Sequence, residues 1–277
     1  EAFYYKETKK GTLAINASIM EQRDKFASAQ TVFKGKTGDY IAFLSTIAEN
    51  DGESRYRVLV NGIEKANVAN PETLATFEKT QLYLGEVYLN QNDTLKVLSK
   101  AVTNGKIPEK GGTAWSRGRW SELSLFPKGT DLMEVLKEVK PFLEINGFLE
   151  VEAEAYHYKS NNGSPRDWFL CSKEVTPPFP PETLTNHSES ASGNAYIEAL
   201  PDTRVTHDDK LVKGENFFPK PGAGGVVSYK VKINTPGTYY VWVRAYSSGP
   251  EDNGVHVGVN GEWPESGARI QLCEGKH

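Results

Sequence analysis

The chain has 277 residues, with 32 Lys and Arg against 36 Asp and Glu, and a formal net charge of -4. That balance excludes the basic face needed to neutralise phosphates, so no nucleic-acid partner is expected. No apolar run reaches the roughly 18 residues of a membrane-spanning helix, so no membrane partner is expected either. A chain of this length can bury two separate cores, and two domains are the natural division.

In chain order, the opening "EAFYYKETKKG" has no apolar signal core, which fits a chain that starts after a removed signal or inside a longer protein. Residues 38–48, "GDYIAFLSTIA", place β-formers after a glycine turn, and 56–60, "YRVLV", alternate up to Asn61-Gly62, the dipeptide of a two-residue hairpin. Strands are predicted at 84–89 and 94–99 around the turn "NQND", and at 120–126. Thr130 or Asp131 caps "LMEVLKEVK", whose Leu132, Val135, Leu136 and Val139 share a face before Pro141, so 130–139 is predicted helical. Further strands are predicted at 148–156, 195–200, 226–233, 238–246, 255–260 and 268–273, with Trp242 in the core. Short strands between Gly, Pro and Asn turns indicate an all-β fold of antiparallel sandwiches. The two cysteines, Cys171 and Cys273, either form one disulfide or stay free, and they fix no compartment.

The span 38–62 repeats without a gap at 237–261. Gly38/Gly237, Tyr40/Tyr239, Val58/Val257, Val60/Val259, Asn61/Asn260 and Gly62/Gly261 coincide. Two copies of one sandwich are therefore expected, at 1–126 and 148–277, joined by a partly helical linker at 127–147. The valine pairs should occupy equivalent inward positions.

The second copy, through "FLEVEAEAY", "SASGNAYIEAL" and "GGVVSYKVKINTPGTYYVWVRAYSSGPEDNGVHVGVNGEW", resembles the galactose-binding-like jelly roll of carbohydrate-binding modules. It is similar to families 6 and 35 and to the C-terminal module of family 115 glycoside hydrolases. The first copy resembles the same fold but has "TLAINASI" where the family opens with "E-A-E". The resemblance implies a structural calcium on Glu152 and Glu154, which lie roughly 7 Å apart on one face if 148–156 is a strand. The competing reading is two solvated glutamates. The family pattern normally continues past a point equivalent to His277, so a truncated second module is expected.

Sugar recognition needs flat aromatic faces and planar hydrogen-bond donors. "GGTAWSRGRWSEL" supplies Trp115, Arg117, Arg119 and Trp120, and the paired arginines favour a uronate or sulfate. Alternatively, Trp120 starts the final strand as core and the arginines pair with Glu49, Asp51 and Glu53. In the second copy the candidates are Trp168, Asp252, Asn253, His256 and Trp263, against a reading of each as loop solvation or turn packing.

Nothing in the sequence marks a catalytic site: it holds no G-x-S-x-G, H-E-x-x-H, C-x-x-C or phosphate loop. The expected function is non-catalytic binding of a polysaccharide, anionic by the arginine argument. The segment would serve a secreted polysaccharide-degrading enzyme with an appended catalytic domain. The alternative is a pair of structural or adhesive modules that pack against a missing catalytic domain and bind no sugar.

Overall fold

The strand 38–48 is apolar at nearly every position, whereas its neighbours alternate, and this difference sets the layering of the first unit. The computed structural model describes residues 1–173, 175–177, 186–204, 206–247 and 254–272. The fold is all-β and divides into two units, Glu1–Lys140 and Pro141–His277. The division falls inside the segment 127–147 expected as a linker.

The first unit runs β1 (Tyr4–Glu7), β2 (Thr12–Ile15), β3 (Phe26–Val32), β4 (Gly38–Ala48), β5 (Arg55–Val60), β6 (Ile63–Ala69), β7 (Glu78–Leu89), β8 (Thr94–Lys100), the short pair β9 (Pro108–Glu109) and β10 (Gly112–Thr113), β11 (Trp120–Pro127) and α1 (Leu132–Val135). One sheet has the order β1-β2-β11-β4-β7 and the other β3-β8-β5-β6. They meet face to face through Tyr40, Leu44, Tyr56, Val58, Val60, Leu89, Leu95 and Val97. In β5 and β8 burial strictly alternates, because one face looks inward and the other meets water. In β4 the even positions enter this core, while Ile41, Phe43 and Ile47 on the outer face are also buried.

The segment after β11 accounts for that second buried face. Val135, Leu136 and Val139 are buried, and Val135 lines one cleft with Ser45, Gln81 and Phe126, which places α1 over the outer face of the five-stranded sheet. The Asp131 carboxylate caps α1 by accepting from Met133 N (2.9 Å) and Glu134 N (3.3 Å). Replacing Asp131 by Ala should cost about 1 kcal/mol of stability in denaturant titration. The α-helix is one turn rather than the ten residues predicted. Beyond it Lys137 N and Val139 N donate to the carbonyls three residues back, and Lys140 precedes Pro141, where helical backbone is disfavoured. These tighter turns still keep the three apolar residues on one side.

The second unit is built from two-stranded ladders. β12 (Phe142–Leu143) pairs in parallel with β17 (Val231–Lys232); the other ladders are antiparallel, β13 (Tyr158–Ser160) with β16 (Val226–Ser228), β14 (Asp167–Ser172) with β15 (Ala195–Leu200), and β18 (Gly254–Val255) with β19 (Ile270–Gln271). Glu144, inside the expected linker, is buried and accepts from Gly147 N, Asn234 N, Thr235 N and the Thr235 hydroxyl, which hold its carboxyl below the usual range.

The sequence repeat is visible in local geometry. Tyr40 donates its hydroxyl to Lys36 O (2.6 Å), and Tyr239 donates to Thr235 O (2.7 Å), both four residues upstream. Asn61-Gly62 and Asn260-Gly261 share positive φ values of 51° and 83°, and 53° and 81°, as a type I′ turn requires. The similarity stops at pairing. Val58 and Val60 are buried, but Val259 is 61% exposed. The predicted strand 238–246 belongs to no ladder among the described residues, and Trp242 is 91% exposed instead of in the core. Without a neighbouring strand no sheet face turns inward there.

Candidate functional site

The antiparallel pairings of the first unit bring four connections to one end of the sandwich: 16–25, 49–54, 70–77 and 101–119. The last contains the W-S-R-G-R-W cluster, and the core anchors most of it. Gly118 N donates to Ser54 Oγ (3.0 Å), and Gly118 O accepts from Ser99 Oγ (2.7 Å). The hydroxyls of Ser54 and Ser116 lie 2.6 Å apart, and Tyr56 donates to Arg119 O (2.9 Å). Gly118 has φ +55°, and a Cβ there would lie 2.7 Å from Ser99 Oγ, so this turn requires glycine.

Arg119 is 3% exposed, so as a sugar ligand it is corrected to a buried structural cation. Its Nε donates to Glu7 Oε2 (2.6 Å), its Nη2 to Glu7 Oε1 (3.2 Å), and its Nη1 to Glu49 Oε1. The pairing with Glu49 is the alternative the sequence left open. Trp120 also turns inward: it packs against the cluster of Leu44, Tyr56, Val58, Ala66 and Val97 and meets Tyr4 edge-on at 6.1 Å. Arg117 is half-buried, with Nη1 donating to the Tyr5 hydroxyl (2.9 Å) and its backbone N to Glu49 Oε2 (3.0 Å). Trp115 is half-buried against Ile15, Ala17 and Ala101, with the Arg23 guanidinium 5.3 Å from its ring. Of the four, Arg119 alone is fully buried; Trp115, Arg117 and Trp120 are half-buried, and Trp120 packs toward the core.

The two carboxylates around Arg119 titrate in opposite directions. The hydrogen bond from Arg119 holds Glu7 below its ordinary value. Burial pushes Glu49 up, and the charge of Arg119 only partly opposes it. The physical difference is water, since the Glu7 side chain is 18% exposed and that of Glu49 is 4% exposed.

In the second unit, residues distant in sequence meet on the loop Gly222–Gly225. A Cβ on Gly222 would lie 2.5 Å from Trp263 Nε1, and one on Gly225 would lie 3.2 Å from Trp168 Cδ1. Gly222 also has φ +74°, and Asn162 Nδ2 ties the loop by donating to Gly222 O (2.8 Å) and Gly224 O (3.0 Å). Trp168 is half-buried, and its Nε1 donates to Gly225 O (3.0 Å). Trp263 keeps 36% of its surface exposed. His256 is exposed, and its Nδ1 accepts from Arg269 N (3.0 Å), which leaves the other ring nitrogen as its external hydrogen-bonding group. Asp252 and Asn253 lie outside the described residues.

Glu152 and Glu154 do not lie on a strand. Residues 153–155 form one 3-10 turn, fixed by Ala155 N donating to Glu152 O (3.0 Å) and by the Tyr229 hydroxyl donating to Ala153 O (2.6 Å). The period-2 argument for a shared face therefore fails. The carboxylates nevertheless reach one neighbouring turn: Ser192 donates to Glu152 Oε2 (2.8 Å), and a Cβ on Gly193 would lie 3.5 Å from Glu154 Oε1. Burial raises the pKa of Glu154, and the charge of Glu152 adds to the rise. Among the described residues, no three His, Cys, Asp or Glu side chains gather as a metal cluster.

No protein-family model matches the chain. Over 135 residues it is 54% identical to "Uncharacterized protein P23" of Formosa agariphila, a match covering 49% of this chain and 32% of that protein. The chain thus spans about a third of the length of the curated relative it matches. Similar solved structures include a family 35 carbohydrate binding module from Clostridium thermocellum, with 15% identity over 45% of this chain and 87% of that one, at a TM-score of 0.28. A family 35 module from an environmental isolate is 9% identical over 39% and 69%, with a TM-score of 0.26. The insecticidal crystal protein Cry2Aa is 18% identical over 42% and 17%, with a TM-score of 0.28. Such overlaps are too loose to argue from, and the fold rests on the strand pairings themselves.

Sequence reasoning missed two participants. Phe77 lies at the loop end of the first unit, 5.0 Å from the Arg119 guanidinium and 3.8 Å from Lys10 Nζ. Its only sequence signal was an aromatic residue at the end of a polar loop. The Gly222–Gly225 loop is the other, and its glycines make room for aromatic rings, Gly224 for Phe218 among them.

Proposed function

We propose that the chain binds carbohydrate without catalysing a reaction on it. The observation that supports this is the convergence of Trp168 and Trp263 on one glycine loop, with the Trp263 indole exposed. An aromatic ring held against backbone is pre-organised to stack on the C–H face of a pyranose, so little conformational freedom is lost on binding. Trp115 and Arg117 form a second contact region in the first unit, and Arg117 gives it a preference for uronate or sulfate. The two units then act as linked modules of one secreted polysaccharide-degrading protein that carries a separate catalytic domain, and linkage raises weak affinities.

Titration calorimetry against neutral and acidic oligosaccharides tests this reading. Trp263→Ala should weaken binding of both classes by several-fold to about tenfold, since a stacked ring contributes on the order of 0.5–1.5 kcal/mol. Arg117→Ala should weaken only the acidic class and flatten its salt dependence. Undiminished binding in both variants would remove the proposal.

Glu152 and Glu154 are proposed to hold a structural calcium ion. Calcium takes six to eight oxygens; the pair supplies at most four, with backbone carbonyls and water completing the set. Neutralising the repulsion between the two carboxylates should raise the melting temperature of the second unit. Chelation should reverse the rise, and Glu154→Gln should abolish it. A melting curve unmoved by saturating calcium would count against the ion.

The competing reading, structural modules that bind no sugar, is favoured by one observation. Of the first unit's expected contact cluster, Arg119 is sealed by Glu7 and Glu49 and the half-buried Trp120 packs against the core.

A further inference from the structure

Residues 237–247 are the second copy's counterpart of β4, since the repeat runs without a gap from Gly38/Gly237 to Gly62/Gly261. In the first unit Ile41, Ala42, Phe43 and Leu44 are each at most 4% exposed. Their counterparts Tyr240, Val241, Trp242 and Val243 are 81%, 54%, 91% and 40% exposed. An unbroken apolar run is the pattern of a strand covered on both faces, not of a solvated loop. Left in water, it is an adhesive surface. The segment is nevertheless anchored. Arg244 Nη2 donates to Ser190 O (3.0 Å), and the Tyr246 ring stacks on His187 with centroids 3.7 Å apart.

The pairings of the first unit identify which neighbours the run lacks. β4 pairs with β11 and β7, both antiparallel, and both follow it in the chain. The offset of 199 residues between Gly38 and Gly237 carries Glu78, at the start of β7, to position 277. It carries Pro127, at the end of β11, to position 326. A pairing that falls inside the chain is kept: Val60 faces Ile63, and at the same offset Val259 faces Glu262. Just before the run, β16 and β17 pair upstream with β13 and β12. The segment that belongs to no ladder among the described residues is thus the one whose first-unit partners lie downstream.

We propose that residues 239–246 are the central strand of the second sandwich, and that its two neighbours come from the polypeptide after His277, one antiparallel strand on each edge. Flanking strands satisfy the backbone of the run and fix a sheet plane, so that alternate side chains turn to opposite faces and leave water. A second copy of this chain fits less well. An edge-to-edge pair occupies one edge and leaves the other open, whereas β4 is paired on both. This pairing is independent of whether Trp168 and Trp263 hold a glycan.

Hydrogen exchange read by mass spectrometry, on peptides spanning 238–246, tests this with two proteins. One is the 277-residue chain, and the other is the native polypeptide continued to the counterpart of β11. In the shorter protein these amides should exchange at close to the unprotected rate. In the longer one they should slow by about 100-fold or more, as ladder amides do, whatever the protein concentration. Trp242→Ser should leave the melting temperature of the shorter protein unchanged and lower that of the longer by several degrees. Four results would each overturn the proposal: amides unprotected in both proteins, protection in the shorter one that grows with its concentration (a second copy on the edge), a Trp242→Ser variant of the longer protein that melts like its parent, or a native polypeptide that stops at His277.

Discussion

Replacing Arg119 by methionine should destabilise the first unit by about 3–5 kcal/mol, the range for breaking a buried ion pair from one side. The guanidinium is 3% exposed and satisfies both Glu7 and Glu49, whose partners it joins across 112 and 70 residues of chain. Methionine fills much of the volume but leaves the buried Glu49 carboxylate without its cation. The deficit should depend on pH in a defined direction. Burial already holds Glu49 above its ordinary value of 4.5, with Arg119 opposing the rise. Without Arg119 the folded-state pKa climbs further. A raised carboxyl pKa favours the fold below the unfolded value and penalises it as pH rises through the folded one. Glu7, now held low by Arg119, loses that stabilisation at neutral pH as well. Urea titrations at pH 8 and near pH 4.5 should therefore show the larger loss at pH 8. A loss that is the same at both, or under about 1 kcal/mol, would mean that the triad is not the anchor described.

Phe43→Ala should cost about 3–5 kcal/mol, as large-to-small changes at a fully buried aromatic do. Phe43 is 0% exposed on the outer face of β4, with Tyr83 at 5.5 Å and Phe126 at 6.1 Å between ring centroids. The test of the layering is a comparison with Leu44→Ala on the inner face, also 0% exposed. If α1 and its turn cover the outer face, both variants lose stability cooperatively in one denaturant transition. If the outer face were solvent-facing, Phe43→Ala would fall within about 0.5 kcal/mol of the parent.

The sequence by itself determined the local features of this protein. Asn-Gly at 61–62 and at 260–261 specifies two type I′ turns because both positions need positive φ, and neither depends on distant residues. Alternation in "YRVLV" specified a half-buried strand, and a capping residue at 130 or 131 specified where α1 starts, Asp131 being the one that caps it. The tertiary structure decided which chemistry-bearing side chains reach solvent. Arg117 and Arg119 are two residues apart with the same side-chain chemistry, yet one keeps exposed surface and the other is sealed between Glu7 and Glu49. That choice depends on which strands flank β11, and strand order joins segments far apart in the chain. The same applies to Trp168 and Trp263, which share a loop only because Gly222 and Gly225 lack a Cβ where the indoles lie. Local spacing placed Glu152 and Glu154 on a strand; the hydrogen bond from Tyr229, 76 residues away, holds them on a turn. Backbone preferences act within a few residues and can be read from the sequence, whereas burial is set by the neighbours that the folded topology supplies.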